Sequence, residues 1–521
     1  MKKEYTSILL FCLIVITGGA LRLSNLEYRP MHNDEAVNSM KFGTLLETGN
    51  FSYDKMEYHG PILYFLTLAP AWLTNTRTYS DLHEYQLRLI PVLAGIGLLF
   101  LLLMMKKTIG WKLILSVTLI GAISPAMVFY SRYYIHEMLL LFFTYGFLLS
   151  VFALFKYRHY GWLILAGAFL GLMHTTKETF ILAVAAMVLA ILLDQVLWKK
   201  GPVSYGQALR SMKWHHYLVF ISMAGIISVV FFSSIFKNPQ GIIDSVTTYE
   251  GYFSKAGKSE IHRHPWHYYL SILAWNEGPS YLVWSELSIL LLAFAGIIQV
   301  FQKKEVKEKD QFFRLIALFS IVLLVVYSAI PYKTPWNMLS FFFGLIMMAG
   351  YGIIKLTQGC KKNWLRVVIW ILAAGAALHL VSQVVLTNYR YPAHPSNPYV
   401  YGHTAMDINH MIHRIREAAS FHPESKDLYI QVICSEHDYW PLPWYLRDFK
   451  NVGWWDRVDT ESPLAPLIIS SPDLEDQLII KMYTMPAPGE KYLYIPLFDV
   501  GTQIRPGVTI NGYIRQDYWG F

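Results

Sequence analysis

The chain has 521 residues, of which 54% are hydrophobic and only 15% are charged, and its formal net charge is +8. Soluble globular proteins carry about 25% charged residues, so this composition excludes an ordinary soluble protein. The positive charge accompanies no nucleic-acid-binding motif. We therefore attribute it to loops beside a membrane and expect no nucleic-acid partner.

Long apolar runs account for this composition, and they predict about eleven transmembrane helices. Several runs approach the roughly 20 residues that cross a bilayer core, where only a helix satisfies the backbone hydrogen bonds. The first run ends without a clean cleavage site of small residues, so we expect a retained helix and no signal peptide. The predicted helices cover residues 6–23, 88–105, 112–130, 137–155, 161–174, 179–197, 215–236, 282–301, 311–330, 336–356 and 365–386.

The basic residues predict the orientation of these helices in the plasma membrane. Lys2 and Lys3 precede the first helix and place the N-terminus in the cytoplasm, because basic loops stay on that side. The later clusters of Lys and Arg then also lie in the cytoplasm, and the C-terminus lies outside. The apolar segment Ile62–Leu73 is too short to cross, so we predict an interfacial or re-entrant helix in the first outside loop.

The sequence after the last predicted helix changes character and predicts a small extracytoplasmic α/β domain. Residues 391–398 contain three prolines and indicate a linker or turn. The expected elements are a helix over residues 406–419 and short buried strands over residues 428–434, 466–470 and 492–497. We therefore divide the chain into a transmembrane domain, residues 1–386, and a soluble α/β domain, residues 387–521.

The first candidate site residue is Asp34, in the first outside loop. Its carboxylate can act as a general base that takes the proton of an acceptor hydroxyl during nucleophilic attack. The structural alternative is that Asn33 or Asp34 caps a helix over Ala36–Thr48, with an acid in its first turn. The two interpretations are compatible, because a cap would also position the carboxylate.

Two short outside loops carry further ionisable candidates. Arg132 suits a phosphate, and Glu137 would orient the acceptor, the base or a metal; His136 lies between them. The structural alternatives are interfacial anchoring or an Arg132–Glu137 pair. Lys177 and Glu178 lie between two short helices, where ionisable residues at membrane depth are functional candidates. Their structural alternative is a turn with a Lys–Glu pair.

Tyr332 and Lys333 lie in a tight outside loop between two prolines. Lys333 there would contact a lipid phosphate, whereas the neighbouring aromatic residues anchor the interface. In the C-terminal domain, residues 437–440 and 451–456 bring together aromatic rings. Such rings stack on sugars or, more commonly, pack in a core.

Three histidines, His262, His264 and His267, lie within six residues in the second long outside loop. This spacing makes them candidate ligands of a divalent metal ion. Contact with phosphate or sugar is an equal alternative, and most such clusters are simply polar surface.

Together these motifs resemble the membrane-embedded GT-C glycosyltransferases, which include the protein O-mannosyltransferases and the aminoarabinose lipid A transferases. The resemblance lies in the acidic pair of the first outside loop, an outside Arg and acid before the fourth helix, and an outside Lys after the fifth. Residues 58–61 resemble the Lys-Pro-Pro step of that group, with His-Gly-Pro in its place, and residues 85–91 resemble its Arg-Leu-Pro helix start. More closely, the chain resembles the Agl23-type proteins labelled "flippase activity-associated", through residues 32–36, 58–61, 131–138, 177–180, 332–338 and 437–455.

The GT-C resemblance implies inverting transfer of a sugar from a polyprenyl-phosphate carrier to a glycan, lipid or protein acceptor at the extracytoplasmic face. Asp34 matches the first acid of the family motif and is the implied general base, assisted by Glu35. Arg132, Lys177 and Lys333 are implied to hold the donor phosphate. The predicted substrate- and phosphate-binding residues are Arg132, His136, Glu137, Lys177, Glu178, His59, Tyr332 and Lys333.

Two other functions remain open from the sequence. A non-catalytic polyprenyl-lipid transporter or flippase-associated protein would need charges inside its helices, which are sparse. A sensor or assembly protein would depend on residues 387–521 and not on the Asp34 carboxylate. Membrane lipid is an expected partner. The sequence establishes no cofactor, and a divalent metal ion is only a candidate.

Overall fold

The computed structural model describes residues 2–55, 59–198, 201–256, 262–303, 305–487, 489 and 491–519. Tyr58, Glu260 and Ile261, which belong to predicted motifs, lie outside these residues. The membrane half contains the helices α1 (Lys2–Leu23), α2 (Asn33–Thr48), α3 (Ile62–Leu73), α4 (Glu84–Leu101), α5 (Lys106–Ile109), α6 (Trp111–Ile123), α7 (Pro125–Ser131), α8 (Glu137–Tyr157), α9 (Tyr160–His174), α10 (Phe180–Leu197), α11 (Tyr205–Ser211), α12 (Trp214–Phe232), α13 (Gln240–Ala256), α14 (Tyr268–Ala274), α15 (Leu287–Phe301), α16 (Glu308–Ala329), α17 (Leu339–Gly359) and α18 (Asn363–Val385). Two short strands, β1 (Asn276–Glu277) and β2 (Val283–Trp284), pair in the second long loop.

Every apolar segment that the sequence predicts to cross a membrane is helical. Within the described chain, eight helices are long and apolar enough to span a bilayer, or nine if the bent pair α6–α7 counts as one span. Helices α9 and α15 have 15 residues each, or about 22 Å, which is shorter than a bilayer core. Helix α3 has 12 residues and begins directly after Pro61, as expected for a segment too short to cross.

The third predicted helix, residues 112–130, is broken, and the prediction of one continuous helix was wrong. Helices α6 and α7 meet at an angle of 64°. Pro125 has no N–H, so the carbonyl of Gly121 loses its helical partner. The buried guanidinium of Arg22 donates to the carbonyls of Gly121 (2.9 Å) and Ala122 (3.0 Å) instead. An arginine in the first helix therefore stabilises the break.

The C-terminal part contains a six-stranded mixed sheet flanked by helices. Its elements are α19 (Asp407–Phe421), β3 (Ile430–Ile433), α20 (Leu442–Tyr445), β4 (Val452–Trp455), β5 (Leu467–Ser470), α21 (Glu475–Ile479), β6 (Tyr494–Pro496), β7 (Thr502–Arg505) and β8 (Val508–Arg515). The strand order is β4-β3-β5-β8-β6, with β7 also paired to β8. Strands β4, β3 and β5 are parallel, and β8 runs antiparallel to β5, β6 and β7.

The C-terminal sheet packs directly on the first outside loop of the membrane half. The Trp444 indole donates to Glu84 (2.8 Å), and the Arg447 guanidinium donates to the carbonyl of Leu82 (2.6 Å). One apolar core runs without interruption from the membrane helices to one face of the sheet, and a smaller cluster covers the other face. The loops that carry the candidate site residues lie between these two halves.

Candidate active site

The candidate site begins at the N-terminus of α2, where the cap is His32 and not Asn33 or Asp34. Nδ1 of His32 accepts a hydrogen bond from the backbone N–H of Asp34 (3.0 Å), and Nε2 donates to the carbonyl of Tyr401 (3.0 Å). The Glu35 carboxylate accepts from the backbone N–H of His32 (3.0 Å) and completes a capping box. Burial lowers the pKa of His32, in keeping with this neutral tautomer. The cap directs the first turn of α2 into the site.

Glu35 has a structural role, because its carboxylate joins separate segments of the chain. Its side chain is fully buried and accepts two hydrogen bonds from Arg88 (2.7 and 2.8 Å) and one from the backbone of Tyr134 (2.9 Å). Arg29 lies 3.4 Å from the same carboxylate. Both carboxylate oxygens of Glu35 accept hydrogen bonds from protein donors, so the expectation that Glu35 assists catalysis is not supported. It links α2, α4 and the loop before α8.

Asp34 is exposed at the first turn of α2. Its side chain is 49% exposed and lies 3.9 Å from the His32 ring. Burial lowers the pKa of His262, and the Asp34 carboxylate offsets part of this effect. Asp34 is thus an acid without a strong ion pair that is open to a substrate.

Lys177 and Glu137 form a buried ion pair. Their side chains are 8% and 7% exposed, and Nζ of Lys177 lies 2.5 Å from the Glu137 carboxylate. This pair was not among the structural alternatives that the sequence offered, which were an Arg132–Glu137 pair and a Lys177–Glu178 pair. The pair brings the loop before α8 to the loop before α10.

The charges of Asp34 and of this ion pair all act on the hydroxyl of Tyr332. Burial raises the pKa of Tyr332; the Lys177 ammonium opposes the rise, and the carboxylates of Asp34 and Glu137 add to it. Tyr332 also pairs with Arg263 in an antiparallel bridge, which joins the second long outside loop to the loop before α17. The charges of Asp34, Lys177 and Glu137 therefore all act on Tyr332.

His59 and Glu178 form a second polar pair beside Lys177. Nδ1 of His59 lies 2.8 Å from the Glu178 carboxylate, which also accepts a hydrogen bond from Tyr53 (3.1 Å). Burial opposes ionisation of Glu178, but His59 and Lys177 outweigh it and lower the pKa of Glu178 to about 2. The His59 ring remains 40% exposed, so its other nitrogen is available to a ligand.

His136 is buried and packs against the ring of His59. Its Nε2 donates to the carbonyl of Gly60 (3.0 Å), and its ring meets that of His59 edge-on at 5.3 Å. Burial, followed by His59 and Lys177, holds the pKa of His136 well below its usual value. A neutral ring with this contact supports His59 instead of binding phosphate, which corrects the prediction for His136.

Arg132 and Lys333, which were predicted to contact phosphate, both donate to backbone carbonyls. Arg132 donates to the carbonyls of Arg22 (3.2 Å), Ser24 and Asn25 (3.0 Å) and so caps the C-terminus of α1. Lys333 is buried and donates to the carbonyls of Ile330 (2.5 Å) and His264 (3.1 Å). Arg132 thus satisfies the last carbonyls of α1, and Lys333 satisfies carbonyls of the loops around it.

The three candidate metal-binding histidines do not converge. His262 (2.6 Å) and His264 (3.2 Å) both contact the hydroxyl of Tyr401, whereas His267 is exposed on the surface. No group of three His, Cys, Asp or Glu side chains suited to a metal ion exists in the described parts of the chain. The prediction of a histidine metal site is therefore not supported there.

Sequence reasoning missed Tyr401 and Arg29. Tyr401 contacts His32, His262 and His264, yet it lies in an irregular segment with no motif. Arg29 lies between the rings of Phe129 and Tyr133 at 4.9 Å from each and was hidden among ordinary loop residues. The aromatic residues Tyr439 and Trp454, predicted as a sugar platform or core, pack on each other at 4.8 Å.

The resulting site can support group transfer on an anionic substrate. The exposed carboxylate of Asp34 can accept a proton, and Lys177 and His59 can hold an anion. The bidentate Glu35–Arg88 pair and the cap at His32 keep the carboxylate in a fixed turn.

Residues 62–238, about a third of the chain, match the family model described as dolichyl-phosphate-mannose-protein mannosyltransferase. No curated protein matches the sequence at a significant level. Among solved structures, the chain is similar to ArnT from Cupriavidus metallidurans bound to undecaprenyl phosphate, with 14% identity over 99% of both chains and a TM-score of 0.62. It is also similar to AglB, the oligosaccharyltransferase of Archaeoglobus fulgidus, in complex with an inhibitory peptide and a dolichol-phosphate. There the identity is 11% over 91% of this chain and 70% of that one, and the TM-score is 0.56. At these identities the structural likenesses show the fold, which is the one that the sequence motifs predicted.

Proposed function

We propose that the chain is a GT-C membrane glycosyltransferase that transfers a sugar from a polyprenyl-phosphate donor to an acceptor at the extracytoplasmic face. The match of residues 62–238 to the mannosyltransferase family model and the fold shared with ArnT support this proposal. The proposal includes inversion at the anomeric carbon and Asp34 as the general base. The narrower likeness to Agl23-type proteins stays a prediction.

The arrangement around Tyr332 carries this proposal. Asp34 is an exposed acid, Lys177 and Glu137 form a buried ion pair, and the charges of all three act on the Tyr332 hydroxyl. A base and a cation near one phenol suit a displacement in which the nucleophile loses a proton and the leaving group is an anion. ArnT bound to undecaprenyl phosphate and AglB bound to a dolichol-phosphate support the choice of carrier.

The proposed reaction is a single displacement. Asp34 takes the proton from the acceptor nucleophile, which attacks the anomeric carbon from the face opposite the phosphate. The bond between that carbon and the phosphate oxygen breaks, and the carrier phosphate leaves with the electron pair. Lys177 and His59 stabilise the charge of the leaving phosphate.

This assignment of the donor site differs from the one the resemblance implied. Arg132 and Lys333 already donate to carbonyl groups, so they are left out of the phosphate site. Lys177 remains, and His59 stands where related enzymes have a lysine. Glu178 holds the His59 ring in place through the 2.8 Å contact.

The non-catalytic alternatives find little support in the structure. Buried charges within the described helices serve contacts between helices: Arg22 donates to the broken helix α6–α7, and Asp194 pairs with Arg314. A transporter or flippase partner would also not need an exposed acid opposite a lysine.

The test is transfer of labelled sugar from a panel of polyprenyl-phosphate sugars by the purified protein. We expect activity in the wild type and its loss in Asp34→Asn. The matched control is Asp81→Asn, because Asp81 is also an exposed acid of the first outside loop and accepts only a local hydrogen bond from Thr78 (2.6 Å). Equal activity of Asp34→Asn and wild type would reject the base assignment.

A further inference from the structure

Residues of the C-terminal part hold the residues directly before Asp34. The backbone N–H of Met31 donates to the Tyr445 hydroxyl (2.9 Å), and its carbonyl accepts from the Thr404 hydroxyl (2.7 Å). The next residue, His32, donates to the carbonyl of Tyr401 (3.0 Å). Three successive backbone or side-chain contacts therefore fix the entry to α2 from the side of the sheet.

The last contact in this series comes from Arg505 at the end of β7. With the Asn33 amide oriented so that both of its ends find a partner, its oxygen accepts a hydrogen bond from Nη1 of Arg505 (2.9 Å) and its N–H donates to the carbonyl of Trp440 (3.3 Å). The other terminal nitrogen of Arg505 pairs with Asp438, and the Arg505 side chain is 18% exposed. A planar guanidinium that bridges an acid and an amide holds both in one geometry.

Arg505 is itself fixed by its surroundings. It lies on a strand paired with β8, and the carbonyl of its neighbour Ile504 accepts a hydrogen bond from the backbone of Ala405 (2.8 Å). The support therefore comes from the sheet and not from a flexible loop. On the opposite side of α2, Glu35 is held by Arg88 in the membrane half.

Asp34 thus lies between two residues that are each held by an arginine. Asn33 is fixed by Arg505 of the sheet, and Glu35 is fixed by Arg88 of α4. The Asp34 carboxylate has no strong partner of its own, so the backbone of this turn determines its direction. A displacement of about 1 Å in a reacting group can cost about 100-fold in rate.

We propose that Arg505 is a positioning residue that acts through Asn33 to aim the Asp34 carboxylate at the acceptor. This inference rests on the proposed function. It makes the C-terminal sheet part of the catalytic machinery, because the residues that aim the base come from both halves of the chain. Arg505 itself does not contact the reacting atoms.

The experiment compares Arg505→Gln with Arg515→Gln in the full-length protein. Arg515 is a matched control, because it also belongs to the sheet, pairs with Asp517 (2.6 Å) and packs on tyrosine rings, but it does not contact α2. We expect Arg505→Gln to lower kcat about 10- to 100-fold while KM for the donor stays unchanged, and Arg515→Gln to leave both unchanged.

Asn33→Ala supplies the second variant, since it removes the same hydrogen bond without a buried charge. If Arg505 acts through Asn33, the double variant should be no slower than Arg505→Gln alone. Additive losses would show that Arg505 acts by another route and would overturn the proposal.

Hydrogen exchange of the backbone amides of residues 33–37 gives a readout that needs no activity. We expect faster exchange in Arg505→Gln and Asn33→Ala than in wild type or Arg515→Gln. Unchanged exchange, or faster exchange with unchanged kcat, would overturn the positioning role. A wild-type protein that transfers no sugar, together with faster exchange in Arg505→Gln, would reject the proposed function and leave the contact of Arg505 with α2 supported.

Discussion

The two adjacent acids at the start of α2 occupy opposite environments. Glu35 is fully buried between Arg88 and Arg29, whereas the Asp34 side chain is 49% exposed. The sequence places both at the outside end of the first helix, but it does not show which acid points inward. That difference depends on Arg88, which approaches from a separate helix.

The buried acid predicts a particular dependence of stability on pH. Burial opposes ionisation of Glu35, but Arg88 and Arg29 outweigh it and lower its pKa from 4.5 to about 2. A lowered pKa stabilises the fold above the unfolded value of 4.5, and this contribution is lost as the pH falls toward 2. Glu35→Gln leaves Arg88 buried without its charge partner and should cost about 3–5 kcal/mol.

The measurement is the thermal midpoint of wild type and Glu35→Gln between pH 7 and pH 3. We expect the variant to have the lower midpoint at pH 7. The gap between the two midpoints should narrow as the pH falls below 4.5, because Glu35 of the unfolded wild type then takes up a proton while the folded carboxylate stays ionised. Parallel curves down to pH 3 would contradict the assignment of Glu35 as the charged partner of Arg88.

Lys177 is the cation that we assign to the donor phosphate. Its removal should weaken donor binding about 10- to 100-fold, since a hydrogen bond to a charged group contributes about 1.5–3 kcal/mol. Lys177→Met combined with Glu137→Gln avoids an unpaired buried acid. The control is Lys237→Met, because Lys237 is exposed and donates to the Gly49 carbonyl (2.7 Å). Equal donor affinity in the double variant and the control would remove Lys177 from the phosphate site.

At the scale of elements, apolar runs were sufficient to locate the membrane helices, because a bilayer permits few alternatives. The break between α6 and α7 was missed although Ser124-Pro125 is a signal for it. An apolar run hides such a break, and its partner Arg22 lies about 100 residues earlier in the chain. The short lengths of α9 and α15 are visible in the sequence, but their depth in the membrane is not.

The C-terminal sheet was predicted only in part. Three buried runs gave β3, β5 and β6, which are confirmed to within two residues at each end. Strand β8 was missed, and it contains Asn511-Gly512, a pair more typical of a turn. Gly512 fits inside a strand because the ring of Phe498 covers it at a distance that leaves no room for a Cβ. This contact is tertiary and has no local signal.

The candidate site was also predicted only in part, because its tertiary contacts have no local signal in the sequence. The charged candidate residues could be selected from the sequence, because ionisable groups beside apolar runs are conspicuous. Their partners could not, since Arg132 and Lys333 take backbone carbonyls that only the folded chain brings near. Tyr401 and Arg505 come from parts of the sequence without any motif.

At the scale of the whole molecule, the membrane half and the sheet share one continuous apolar core. The site lies between them, on the side where the C-terminal residues follow the last membrane helix. We propose that this side faces away from the cytoplasm, because the basic loops between the helices lie at the other end.

Cysteine labelling tests this orientation. Asp499 is exposed on the sheet, and native Cys360 is partly exposed at the end of α17. In intact cells, a membrane-impermeant maleimide should label Asp499→Cys in a Cys360→Ser background. It should label Cys360 of the native protein only after the membrane is permeabilised. The reverse pattern would place the site in the cytoplasm and contradict the proposed face of transfer.

The central claim is that Asp34 accepts a proton during sugar transfer from a polyprenyl-phosphate donor. The most direct test is the single-turnover rate of wild type and Asp34→Asn at saturating donor, with donor binding measured in parallel. The account predicts equal donor affinity and a rate that falls about 100- to 10,000-fold in the variant, which is the range for loss of a general base. Equal single-turnover rates, with the donor bound in both proteins, would contradict it.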